Sequence, residues 1–277
     1  MAFQKILAFI GIILLGVAIA DDDRPIKRDI NVYRSHVKIN AYNSHGYKVV
    51  PRNETEKKPT SFRPTSCVDY LRRGTSKSGI YKLYDQRGKS FAAYCYMKSE
   101  LDTAWTMVMS WALVNRKLSA FLKIPFKYNS PQNEDDLNWD LYRLSLARMR
   151  FLQGQSTHWR ATCSYPINGI DFRDYLRGNF KDFNIIDYVG GGTCKKVEYI
   201  NIRGHVATDL TVPFWQKLNT WTLHTDSTYT HCQFKVAKSG AVREEDNFSW
   251  YASGMSTKFR CTQGTQSTTQ WWFGGHI

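Results

Sequence analysis

Residues Cys67–Trp111 read CVDYLRRGTSKSGIYKLYDQRGKSFAAYCYMKSELDTAWTMVMSW, and the reading of the fold starts from them. Gly79-Ile80-Tyr81-Lys82-Leu83-Tyr84 alternates apolar and polar residues, the period of a half-buried strand. Asp85-Gln86-Arg87-Gly88 turns the chain, and Phe91–Met97 returns it. Trp105–Trp111 is again rich in branched and aromatic residues and predicts a third strand. Cys67 precedes this meander and Cys95 lies on its second strand, so a bridge between them would tie the start of the domain to its sheet.

The same residues resemble the opening of the fibrinogen C-terminal-like domain. That family begins with a Cys, a nearby acidic residue, a Gly-x-Tyr strand, a turn, a Tyr-Cys-x-Met segment and a Trp-Thr-x-Val strand. The matching residues are Cys67, Asp69, Gly79 with Tyr81, Tyr94-Cys95-Tyr96-Met97 and Trp105-Thr106-Met107-Val108. Asn138-Trp139-x-x-Tyr142 is similar to a segment that follows the family's first meander. Trp271-Trp272-Phe273-Gly274-Gly275 resembles the strand closing its ligand region, with the aromatic order changed. The resemblance is thin over residues 156–230. It implies an α+β domain from Cys67 to the end, a twisted antiparallel sheet with few short helices and long loops, and a non-catalytic recognition module. Short secreted cnidarian members, including those of coral skeletal matrix, look similar.

Outside that domain, Lys5, the apolar run Ile6–Ala20 and the small-x-small ending Ala18-Ile19-Ala20 fit a signal peptide over residues 1–20. Residues 21–66 are polar, carry Pro25, Pro51, Pro59 and Pro64, and read as a tail or linker. The expected setting is therefore secreted and extracellular. Six cysteines, Cys67, Cys95, Cys163, Cys194, Cys232 and Cys261, then argue for disulfides. Fifteen connectivities are open to six cysteines. The expected one is sequential: 67–95, 163–194 and 232–261. Asn53-Glu54-Thr55 and Asn247-Phe248-Ser249 make Asn53 and Asn247 candidate glycosylation sites. The formal charge of +14, or +13 without Lys5, points outside the cell to extracellular glycans or anionic matrix polymers rather than to nucleic acid. No segment has the length of a membrane span, and self-association is left open.

Further along, Glu134-Asp135-Asp136 followed by Leu137, Leu141, Leu144, Phe151 and Leu152 predicts a helix. Ser156–Tyr165, Lys195–Ile202, Trp221–His224 and Cys232–Val236 predict strands, and Gly190-Gly191-Gly192 a loop. That loop lacks the Lys-Ser/Thr of a phosphate cradle.

No catalytic motif stands out: there is neither Gly-x-Ser-x-Gly nor His-Glu-x-x-His. His158, His205, His224 and His231 are scattered, and Asp171, Asp174 and Asp187 cannot be paired from sequence. The family's calcium loop is not matched, because only Asp226 precedes Cys232. Glu244, Glu245 and Asp246 are the remaining calcium candidates. The chemistry for sugars gathers near the C-terminus: Trp250, Tyr251, Trp271 and Trp272 offer flat apolar faces, and Thr262 and Gln263 belong to a loop dense in hydroxyls and amides. The expected function is lectin-like binding of carbohydrate or another anionic extracellular ligand. The alternative is a structural matrix component without a defined ligand site.

Overall fold

The alternation that marks Gly79–Tyr84 as a strand also sets its register. β1 (Gly79–Tyr84) pairs antiparallel with β2 (Ser90–Met97), Tyr84 opposite Ser90 and Gly79 opposite Cys95. The turn is closed by Asp85, whose carboxylate accepts the backbone N–H groups of Arg87 and Lys89. The preceding helix α1 (Cys67–Arg72) starts where the Asp69 carboxylate accepts the N–H groups of Thr65 and Ser66. The computed structural model describes residues 62–97, 100, 102–226, 231–235, 246–252 and 254–276. All belong to one compact unit spanning Pro59–Ile277. The signal peptide, nearly all of the tail, Asn53, Glu244 and Glu245 lie outside the described residues.

β3 (Thr103–Ala112) is buried along its whole length. One edge pairs with β2 and then with β4 (Leu141–Arg143), and the other with β11 (Thr268–His276). Beyond β11 follow β5 (His158–Cys163), β6 (Tyr175–Asn179), β7 (Gly190–Ile202), β8 (His205–Lys217), β9 (Trp221–Asp226) and β10 (Asp246–Asn247). These eleven strands form one antiparallel sheet with short helices: α2 (Ser119–Leu122), α3 (Leu146–Gln153) and α4 (Tyr165–Asn168). The C-terminal strand therefore occupies the middle of the sheet. Its side chains serve both faces: Trp271 meets Phe126 and Trp159, while Trp272 meets Tyr94, Trp139 and Tyr165. Gly274 has no room for more, since a Cβ there would fall 2.1 Å from the Ala104 carbonyl oxygen.

Several expectations are corrected. The single helix expected after Glu134 is a strand followed by a helix. Leu141–Arg143 pairs with Met109–Trp111, and Ser145 starts α3, its N–H donating to the Glu134 carboxylate. Buried Arg143 holds the break in place by donating to the carbonyls of Ala120, Ile124, Pro125 and Tyr128. Gly190–Gly192 opens β7, with a register irregularity before Thr193 rather than a free loop. Residues 232–235 form no strand, although the Phe234 N–H reaches the Thr211 carbonyl.

The disulfides are Cys67–Cys95, Cys163–Cys261 and Cys194–Cys232. The first is as expected, and the sequential 163–194 and 232–261 pairings are not formed. The cause is sheet order. β11 lies beside β5 with Thr269 opposite Cys163, which carries the preceding segment and Cys261 to Cys163. Cys194 on β7 lies opposite Pro213 of β8, and Gln233 bonds Thr211 of the same strand, so Cys232 is delivered to Cys194.

Candidate functional site

The aromatics expected to stack on sugar are divided by the fold. Trp271, Trp272 and Tyr251 are core residues, 0–1% exposed, and Thr262 is buried with its hydroxyl bonded to the Ser256 carbonyl. The Tyr251 hydroxyl meets Thr269 inside the protein. Gln263 is exposed and Trp250 partly exposed. Asn247 is fully buried, so its sequon does not present an acceptor amide at the surface of the fold. Asp246 is also buried, 3.9 Å from His224, and is not part of a solvated acidic turn. Among the described residues no group of three His, Cys, Asp or Glu side chains is placed to hold a metal ion.

What Trp250 joins is a different aromatic group. His224 on β9 lies between two indoles, Trp215 at 5.7 Å and 20° between planes and Trp250 at 5.1 Å and 23°. Trp221 meets the edge of Trp250 at 6.5 Å. All three indoles are partly exposed, whereas His224 is 2% exposed. The His224 Nδ1–H donates to the Thr222 carbonyl at 2.9 Å, which turns the bare Nε2 toward Asp246. Burial pushes this imidazole down to about 4, so the ring stays neutral in the stack.

Next to these indoles lies an open groove of about 350 Å³, lined by Arg116, Lys117, Ser119, Leu122 and Lys123 together with the Tyr251–Ala252 backbone turn. Hydrogen bonds tie the two features together. The Asn219 N–H donates to the Lys123 carbonyl, the Trp250 Nε1–H to the Thr220 carbonyl, and the Thr222 hydroxyl to the Phe121 carbonyl. Arg143 clamps the same 120–128 segment from below. No carboxylate lines the groove, and among the described residues none pairs with Arg116, Lys117 or Lys123. Three cations without a carboxylate, in a groove joined to the indole group through Tyr251 and the Asn219–Thr220 turn, suit a ligand that is both anionic and ring-shaped.

Sequence reading missed this grouping. Trp250 was among the expected residues, but Trp215, Trp221 and the three cations were not. One signal was present: no Asp or Glu occurs between Thr103 and Asn133, so any cation displayed there lacks a local partner.

Among the described residues no helix is long and apolar enough to cross a membrane. No protein-family model matches the chain, and no curated protein shows significant similarity to it.

Proposed function

We propose that this chain is a secreted, non-catalytic recognition protein that binds anionic extracellular glycans, sulfated or carboxylated, through the groove of Arg116, Lys117 and Lys123 and the adjoining indoles of Trp215, Trp221 and Trp250. The observation that carries the reading is a groove lined by three cations, Arg116, Lys117 and Lys123, and by no carboxylate. The order of motifs from Cys67 to Val108, with the Cys67–Cys95 bridge, supports a diverged fibrinogen C-terminal-like domain as its scaffold.

The test is an array of sulfated, carboxylated and neutral glycans, run with and without calcium, followed by titration of the best anionic binder. Replacing Lys117 and Lys123 by Ser should weaken it about tenfold, the ~1.4 kcal/mol available from two exposed charge contacts. Trp221→Ala should weaken the binding that persists in high salt. If raising the salt abolishes all binding and Trp221→Ala has no effect, the chain holds matrix polymers by charge alone. That is the structural-matrix reading.

A further inference from the structure

We infer that a second cleft, at the start of β5 and the end of β6 beside the middle of β7, binds an uncharged, hydroxyl-bearing sugar ring. The cleft has a volume of about 670 Å³, within the range of small-ligand sites, and lies outside the basic groove. Its lining differs in kind. Two lysines, Lys181 and Lys196, are matched by two carboxylates, Asp182 and Glu198, and the half-buried ring of Phe180 forms an apolar wall against Phe273. A charge-balanced wall with one aromatic face does not select for an anion. It offers planar acceptors and donors to hydroxyls.

The lining is also held in place before any ligand arrives. The Glu198 carboxylate accepts from His158 Nε2 at 3.1 Å, Asn179 Nδ2 at 3.0 Å and Arg177 Nε at 3.0 Å. Burial alone would push its pKa up, but Asn179, His158 and Arg177 outweigh that and hold the carboxyl below the usual range. Because a carboxylate only accepts, His158 Nε2 carries a proton toward Glu198, and Nδ1 meets the Thr157 hydroxyl at 2.7 Å. Gly275, at φ +142°, makes space for this pair, since a Cβ there would fall 2.0 Å from Thr157 Oγ1. Asn179 fixes Asp182 through one carboxylate oxygen, Oδ2. The other, Oδ1, has no partner among the described residues, and Lys196 Nζ meets only Asp182, at 3.7 Å. One acceptor and one donor therefore remain for ligand hydroxyls, on a frame that costs little to order.

The experiment is saturation-transfer NMR and calorimetry on the full chain with the methyl pyranosides of glucose, galactose, mannose and N-acetylglucosamine. At least one should bind saturably, with an affinity unchanged between low and high salt and unchanged in the Lys117→Ser/Lys123→Ser variant. Asp182→Asn, which keeps the shape of the side chain, should weaken it at least fivefold, as should Lys196→Met. Circular dichroism melts confirm that both variants fold. Absence of saturable binding by all four sugars overturns the inference, as does binding that neither substitution alters. Because the probes are uncharged, either failure is separable from failure of the anionic site.

Discussion

Removing the Cys163–Cys261 bridge is the sharpest perturbation of this fold. The two residues are 98 apart in sequence, the longest separation among the three disulfides. In the chain-entropy model, opening a loop of that size costs about 4.7 kcal/mol, against about 3.9 for Cys194–Cys232 and about 3.6 for Cys67–Cys95. Both cysteines are buried, so the Cys163→Ala/Cys261→Ala variant keeps the site apolar and adds no unpaired hydroxyl. For a domain of this size the loss corresponds to a fall in melting temperature of about 9–19 °C. Guanidinium unfolding of the double variant beside the native chain gives the free energy directly. The pairing itself is read from the single variant Cys163→Ala. The thiol released for alkylation should be Cys261, whereas sequential pairing would release Cys194. Labelling at Cys194, or a stability loss below ~1 kcal/mol, would refute the placement of β11 beside β5.

His224 gives a pH dependence whose sign follows from its burial. Its folded value of about 4 lies below the unfolded 6.5. The unfolded chain therefore takes up the proton first, and stability falls as pH drops from about 6.5 toward 4, by up to ~3 kcal/mol at 1.36 kcal/mol per pH unit. Denaturant titrations across that window should show the loss, and His224→Phe should remove most of it. Arg143→Met should cost at least ~3 kcal/mol, since four carbonyls of the 120–128 segment lose their donor. Hydrogen exchange should show the groove segment loosened first. Gly274→Ala should impair folding outright, because the new methyl meets the β3 backbone rather than a movable side chain. A native yield and melt for that variant would mean that β11 and β3 are farther apart than described.

The opening of the domain was legible because its signals are local. Alternation, the Asp-Gln-Arg-Gly turn and the branched run of β3 each act over a few residues, and all three strands appear where they were expected. The rest depended on a fact no local pattern carries, namely that the last strand inserts between β3 and β5. Its consequences account for most of the errors. Trp271 and Trp272 read as faces for stacking sugars but line the centre of a sheet covered on both faces. Cys261 is drawn to Cys163 instead of Cys232. Helical spacing of Leu137, Leu141 and Leu144 was coincidental, since the open edge of β3 beyond β2 recruits Leu141–Arg143 as a strand. The proposed site for an anion was half legible: its cations and its one expected indole are in the sequence, but their neighbourhood is made by the β8–β9 turn meeting Lys123.

The strong positive charge takes structural form through where the acids go. Arg148, almost fully buried under Phe91, takes up Asp85, Glu134 and Asp135. Arg177 takes up Glu100 and Glu198. The inner acids are spent in these partly buried networks, where salt screens weakly. The cations that remain without partners around Lys117 and Lys123 lie in the open, where screening is strong. One ionic-strength titration should therefore separate the two populations. Affinity for an anionic glycan should fall steeply over a range in which the melting temperature barely moves. A melting temperature that fell in parallel with affinity would mean that the networks around Arg148 and Arg177 are as solvent-screened as the groove, and the distinction between structural and functional charge would be lost.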